Sequence, residues 1–391
     1  MKTQWKFVLV GVGAFVLGGV CDRLLFEEIT DYFNIEKAEN HSKGVVSLVE
    51  NLQMEDGFIY TGELDNGKRH GTGRMITPKG TIYEGEWIDN QMIFGTMITE
   101  KAEYNGDFKG LSPDGYGVMY YKDGSYYRGN WRRGAKSGIG LRVDSLGHKL
   151  FGRWEGGLID RGTQNTNVED VVYGIDLSHH NYIEKWGDIA LYRMNNGRIS
   201  LVRPEKDFFF HPISFVFTKA TEGATHRDKK YIDNMFMAKK HYLVRGSYHF
   251  MHLTSSSPEE QAANFLDYLI YESGDLPPVL DIEVMEQAQK IGVEETQKKV
   301  LKWLQIVEKE LNVKPIIYTS TNMRKKFFNS KQFAQYKFWM AHYTDEYPSD
   351  SDYLIWQFTD KGAVYGIPEK HKLDINVFGG TYRDFISLCK K

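Results

Sequence analysis

The sequence predicts three architectures in one chain: an apolar N-terminal helix, an elongated all-β sheet of repeated hairpins, and a C-terminal α/β region closed as a barrel. Three observations point there. Of the 38 glycines, 22 fall between Gly57 and Gly162, whereas eight of the ten prolines lie at or beyond Pro204. An aromatic–glycine pattern recurs through the glycine-rich part at a near-constant period. Beyond it, short apolar runs alternate with helical stretches.

At 391 residues the chain is long enough for two or three domains of ~150 residues each. Its 41% apolar and 26% charged content excludes wholesale disorder and a multi-span membrane protein. A net charge of −3 argues against a dedicated nucleic-acid binder. The two cysteines, Cys21 and Cys389, stand at opposite ends, which excludes a disulfide framework and a cysteine-based zinc site.

Lys2 and Lys6 precede an apolar run from Phe7 to Cys21, and Glu27, Glu28 and Asp31 follow it. Fifteen helical residues reach only ~22 Å, short of a ~30 Å hydrocarbon core. The charge asymmetry orients the amino end to the cytoplasm and predicts export. No A-x-A cleavage site follows, and Val20 is a poor residue before a lipidated Cys21. The expectation is an uncleaved signal anchor over residues 1–26, with a cleaved signal peptide and a secreted protein as the alternative. The C-terminal region would then lie outside the cytoplasm. Residues 27–56 read as a helical stalk.

Residues 57–162 carry the repeat. Tyr60-x-Gly62-x-Leu64, Tyr83-x-Gly85-x-Trp87, Tyr104-x-Gly106-x-Phe108 and Tyr127-x-Gly129-x-Trp131 share one pattern, and Leu150-x-Gly152-x-Trp154 is a degenerate fifth copy. Alternating aromatic and polar residues mark half-buried strands. The later glycines, such as Gly67, Gly71 and Gly73 or Gly134, Gly138 and Gly140, suit turns that need positive φ. Each copy reads as a β-hairpin. From Arg128 to Arg153 seven basic residues face a single acid, Asp144, and form a candidate patch for an anionic surface. The pattern resembles the MORN (membrane occupation and recognition nexus) repeat, a family associated with membrane-lipid and protein contacts. A spacer role for the repeats stands beside that reading.

Residues 171–388 alternate strand and helix. Apolar runs at 214–220, 244–250, 277–283, 314–320, 338–343 and 353–359 read as strands, and 258–271 and 293–311 read as helices. Such alternation implies a parallel sheet, most simply closed as a barrel. Catalytic residues in barrels gather at the carboxyl ends of strands. Four acids occupy such positions: Asp281 and Glu283 in PPVLDIE, Asp176 in VVYGIDLSHH, and Asp374 in HKLDINVF. Alternation puts Asp281 and Glu283 on one face, ~6.5 Å apart at Cα, close enough to shift each other's ionisation. Four converging carboxylates suit glycoside hydrolysis, which needs one protonated acid and negative charge near the anomeric carbon. His179, His180, His249 and His252 do not read as a metal site, because adjacent histidines on a strand point to opposite faces. No cofactor motif is present.

The stretches YGIDLSHHN (173–181), FVFTKATEG (215–223), GSYHF (246–250), LPPVLDIE (276–283), PIIYTS (315–320), WMAHY (339–343), WQFT (356–359) and LDINVFGG (373–380) resemble glycoside hydrolase family 25. These are lysozymes, or N-acetylmuramidases, with a modified β/α barrel. The resemblance implies a peptidoglycan hydrolase that cleaves between N-acetylmuramic acid and N-acetylglucosamine. It further implies Glu283 as general acid and then base, and Asp281 as support for the substrate's own acetamido group. Asp176 and Asp374 would hold charge and hydrogen bonds around the sugar, and Tyr248, Tyr318, Tyr343, Trp356 and Gln357 would line the groove. The chain departs from the family over 187–213, an insertion expected near the barrel mouth. Two rival readings are a silent barrel that only binds glycan and an adaptor working through its repeats. Retention of all four acids disfavours the first.

Overall fold

The computed structural model describes residues 46–389, apart from 55 and 345–352. The apolar run of the expected anchor therefore lies outside the described residues, as does most of the stalk. Among the described residues no helix is long and apolar enough to cross a membrane. The end of the stalk is not helical: Val46–Gln53 forms a strand, β1. It is laddered antiparallel on β2 (Ile59–Asp65), from Val46 opposite Asp65 to Gln53 opposite Ile59. Eight residues are too few to nucleate a stable helix alone, so the hydrogen bonds of a neighbouring strand decide their conformation.

Two compact units divide at Gly124 and Ser125. The first continues as an antiparallel meander through β3 (Lys68–Ile76), β4 (Ile82–Ile88), β5 (Gln91–Ile98), β6 (Ala102–Gly110) and β7 (Ser112–Tyr121). The repeat pattern has a direct physical reason here. Tyr60 is fully buried, its hydroxyl donates to the Glu63 carbonyl at 3.0 Å, and its ring lies over the Gly62–Gly73 pair. A Cβ on Gly73 would stand 2.1 Å from the Tyr60 oxygen. Gly73 thus clears space for a ring, where the sequence suggested a turn with positive φ. Gly67, at φ 76°, does serve a turn.

The second unit opens with β8 (Tyr126–Arg132), β9 (Ala135–Val143), β10 (Lys149–Glu155) and the short β11 (Leu158–Ile159). The barrel follows: β12 (Tyr173–Leu177), then a crossover of β13 (Ala190–Met194) and β14 (Phe208–His211), then β15 (Ile213–Glu222) with its short partner β16 (His226–Arg227). β17 (Val244–Phe250), β18 (Val279–Asp281), β19 (Ile316–Ser320), β20 (Lys337–Ala341), β21 (Tyr353–Gly362) and β23 (Leu373–Phe378) complete it, and the short β22 (Val364–Tyr365) lies between the last two in sequence but outside the barrel sheet. From β12 through β15 and β17–β21 every barrel pairing is parallel. β23 then closes the ring antiparallel to both β21 and β12. That reversed strand is the modification of the barrel.

Phe215, Phe217, Tyr318, Trp339 and Ile355 fill the interior, with Phe217 stacked on Trp339 at 4.5 Å. The C-terminal helix Tyr382–Leu388, started by a Thr381–Asp384 capping box, adds Phe385 against Phe215 and Phe378. On the outside, helix Val293–Leu311 buries Val300, Trp303, Leu304 and Val307, the face that a 3.6-residue period presents.

The insertion departs from expectation. Two parallel neighbours, β12 and β15, are usually bridged by a helix. Here β13 and β14 bridge them, and with β22 they form a separate three-stranded sheet. One face covers the barrel wall: Leu191 packs with Ile175, Val377 and Ile213. Ala190, Tyr192 and Phe210 pack with Ile139 and Phe151 of the repeat hairpins. Asn130 Nδ2 donates to the Gly187 carbonyl at 2.7 Å and to Asp188 at 2.9 Å. This packing is why the compact division falls at Gly124, before the last repeat hairpins, and not between 162 and 171. The insertion covers a wall where a place at the mouth was expected.

Candidate active site

Strand alternation brings the acids together. Asp176 on β12 lies directly opposite Asp374 on antiparallel β23. Gln357 on β21 is opposite Asn376, two residues after Asp374 and so on the same face. Asp176 is 8% exposed, and its Oδ2 accepts from Gln357 Nε2 at 2.9 Å and Asn376 Nδ2 at 2.8 Å. Each amide is itself oriented. The Tyr318 and Tyr343 hydroxyls donate to Gln357 Oε1, both at 2.8 Å, and the Trp339 indole N–H donates to Asn376 Oδ1 at 2.8 Å. An indole can only donate, so Asn376 must present its NH₂ to Asp176. Every bond of this network ends on one carboxylate.

Facing aspartates cannot both ionise cheaply. Burial, first, and the charge of Asp176 push Asp374 up to about 9. Burial also raises Asp176, opposed by its donors Asn376, Gln357 and Asp374. Burial and mutual repulsion thus favour one proton shared between the two carboxyls, with Asp374 the more strongly raised.

Asp281 ends β18 and is buried, and its Oδ1 has no partner in the described structure. Burial and the Glu283 charge hold its pKa well above the usual carboxylate range, with Lys219 opposing. Glu283 follows in the loop and still meets solvent. Crowding of its carboxyl by the mouth and the Asp176 charge both raise its pKa, again against Lys219. Tyr248 is half-buried, and burial followed by the charges of Asp176, Asp281 and Asp374 keeps its phenol protonated. Four acids and three tyrosines of the sequence reading, with Gln357, meet at one mouth.

Trp356 does not join them. Gln357 points inward, so its neighbour points outward, and Trp356 packs with Ile175 and Ile375 in the shell outside the barrel. Its indole donates to the His342 carbonyl at 2.7 Å. Groove lining by Trp356 is therefore corrected to wall packing.

Two groups escaped the sequence reading. Asn376 is one. Lys219 is the other, paired with Glu222 and lying 4.9 Å from the Phe250 ring centre. Both were open to detection by alternation, since Phe215, Phe217 and Lys219 share a strand face, as do Asp374, Asn376 and Phe378. The histidines serve the framework. His179 Nδ1 bonds the fully buried Asp228 at 2.8 Å, and His249 bonds the Thr221 hydroxyl at 2.7 Å, its pKa lowered to about 3 by burial. Among the described residues no group of three or more His, Cys, Asp or Glu could hold a metal ion.

The basic stretch is partly dispersed. Lys149 pairs with Glu169, Arg153 bonds Asp160 at 3.0 Å, and Arg128 lies over Tyr242 at 5.3 Å. Arg132, Arg133, Lys136 and Arg153 still line a cleft of about 340 Å³ beside Trp154.

Residues 60–82, 83–92, 104–126 and 127–145 match the MORN repeat. The copy at Leu150 has no such match, although its Trp154 donates to the Gly140 carbonyl at 3.1 Å as Trp87 does to Gly73 at 3.0 Å. Residues 175–367 match glycosyl hydrolases family 25. The uncharacterized protein YegX of Escherichia coli K12 is 33% identical over 219 residues, 54% of this chain and 71% of YegX. The autolytic lysozyme of Clostridium acetobutylicum is 31% identical over 163 residues, 41% of this chain and 48% of that protein. The crystal structure of a Streptomyces coelicolor lysozyme aligns at a TM-score of 0.47 and 24% identity, over 56% of this chain and 97% of that one. The chain thus belongs to glycosyl hydrolases family 25 and is a glycoside hydrolase preceded by MORN repeats.

Proposed function

We propose that the protein is a peptidoglycan hydrolase that cleaves the β-1,4 bond between N-acetylmuramic acid and N-acetylglucosamine. The observation that carries this reading is the ring of acids, in which Asp281 is buried with an unpartnered Oδ1 beside Glu283. Burial and the Asp176 charge raise the pKa of Glu283, the direction a general acid requires. Glu283 gives its proton to the glycosidic oxygen as the C1–O bond breaks. The acetamido carbonyl oxygen of the same sugar bonds to C1, and its N–H donates to the free oxygen of Asp281. That donation favours the Asp281 anion, which balances the charge on the new ring. Water then attacks C1 and passes a proton to Glu283, the acetamido group leaves, and the enzyme is restored. Substrate assistance of this type departs from the two-carboxylate scheme. Asp176, fed by donors from Gln357 and Asn376, supplies the negative field that favours cationic character at C1.

The same reading has the enzyme exported and held at the membrane by residues 1–26, supported by the charge asymmetry around Phe7–Cys21. The MORN repeats would meet an anionic lipid or wall polymer through the Arg132–Arg133–Lys136 cleft. Release of reducing ends from purified peptidoglycan tests the hydrolase reading. No release by the folded full chain would overturn it.

A further inference from the structure

We infer a second glycan-binding groove, separate from the acids, built jointly by the end of the repeats and the β13–β14 crossover. It rests on the peptidoglycan reading above. Two clefts of about 810 and 360 Å³ share Tyr192, Arg203, Tyr365 and Glu369 and so form one groove. One end lies against Arg153 and Thr163, and the other against the 366–371 loop.

The floor is aromatic. Tyr192 packs edge-on against Phe208 at 5.2 Å, and Phe210 lies 4.7 Å from Tyr365. Phe208 and Tyr365 are only half-buried, and both line the groove. Arg203 and Glu369 on the rim are exposed. Apolar ring faces beside charged hydrogen-bonding groups match a sugar, which offers an apolar face edged by hydroxyl and amide groups. Three basic and four acidic side chains line the larger cleft. That near balance gives no net pull on a polyanion, which disfavours nucleic acid and anionic lipid here.

The groove lies within a glycan strand's reach of the acids. Gly362 pairs with Leu373, the neighbour of Asp374, and Tyr365 lies three residues beyond Gly362. Chain geometry therefore keeps Tyr365 within ~20 Å of Asp374 at Cα. One glycan strand several sugars long can occupy both sites, so the groove would hold an insoluble polymer while the acids cut it.

The test uses the full chain carrying Arg203→Ala and Glu369→Ala, two exposed positions that leave the aromatic floor intact. In a Glu283→Gln background, binding to purified sacculi should weaken about tenfold, equivalent to ~1.4 kcal/mol. With Glu283 restored, KM for intact sacculi should rise while turnover of short soluble glycan fragments that hold a single N-acetylmuramic acid–N-acetylglucosamine bond, too short to reach the groove, stays unchanged. Glycan strands stripped of peptide should compete for the parent's binding. Unchanged sacculus binding in the double variant overturns the groove, as does competition by free stem peptide with none by stripped glycan. A parent that neither binds nor cleaves peptidoglycan overturns the functional reading itself, and the groove with it.

Discussion

Tyrosines serve different ends in the repeats and in the barrel. Tyr60, Tyr104 and Tyr127 are completely buried in their hairpins, and each hydroxyl donates to the carbonyl three residues on: Glu63, Asp107 and Asn130. Tyr318 and Tyr343 send theirs to Gln357, whose amide passes the polarity to Asp176. The first arrangement ends on backbone and fixes a strand. The second ends on a buried carboxylate and prepares a charge. Where a donor's hydrogen bond terminates, more than its depth, separates a framework group from a chemical one.

Glu283→Gln should sharpen that contrast most. The swap keeps shape and removes the transferable proton, so turnover should fall ~10²–10⁴-fold with the fold unchanged by circular dichroism. Near-parental rates in the folded variant would remove Glu283 from the chemistry.

Gly140→Ala attacks the repeat side. The new Cβ would stand 2.2 Å from the hydroxyl of fully buried Tyr127. Overpacking of this type costs about 1–3 kcal/mol, to be read as a lower Tm. Gly134→Ala, with nothing within 4 Å of its Cβ but φ at 77°, should cost less. Equal losses would show that backbone conformation, and not clearance for the tyrosine ring, sets the glycine pattern.

Asp374→Asn probes the shared proton with smaller effect. An acid whose folded pKa is raised binds a proton that the unfolded chain has released, so stability falls as pH climbs from ~4 towards the folded value of about 9. Asparagine can donate to Asp176 without titrating. The variant's Tm should therefore gain on the parent's between pH 5 and pH 8. Parallel curves would show that Asp374 is not the proton's holder.

Smallest is the effect expected at the repeat cleft. Replacing Arg132, Arg133 and Lys136 with Ser should weaken binding to anionic vesicles or wall polymer at low salt. The parent should lose that binding as the Debye length contracts from ~10 Å at 0.1 M to ~3 Å at 1 M. A variant that binds as well as the parent would return the repeats to a spacer role.

Periodicity made much of this molecule legible in the sequence. The hairpins follow from Tyr-x-Gly spacing, and the strand at Val244–Phe250 and helix at Val293–Leu311 fall where apolar patterning puts them. The acids stood out because they end apolar runs. What was hidden depends on partners distant in sequence. β1 takes its strand form from β2, and the β13–β14 crossover becomes a wall only against Ile139 and Phe151. Trp356 was misplaced for another reason: with Gln357 inward, strand alternation alone turns it out of the groove. Asn376 and Lys219 obey the same alternation: Lys219 stands two residues past Phe217 and Asn376 two past Asp374, so reading each strand in steps of two would have exposed them.

The most direct test asks which sugar ends the fragments. Purified peptidoglycan is digested with the full chain, the products are reduced with borohydride, and their masses are read. A muramidase leaves every new reducing end on N-acetylmuramic acid. New ends on N-acetylglucosamine, or cleavage confined to the peptide, would contradict the assignment of Glu283 and Asp281 to the muramic-acid bond.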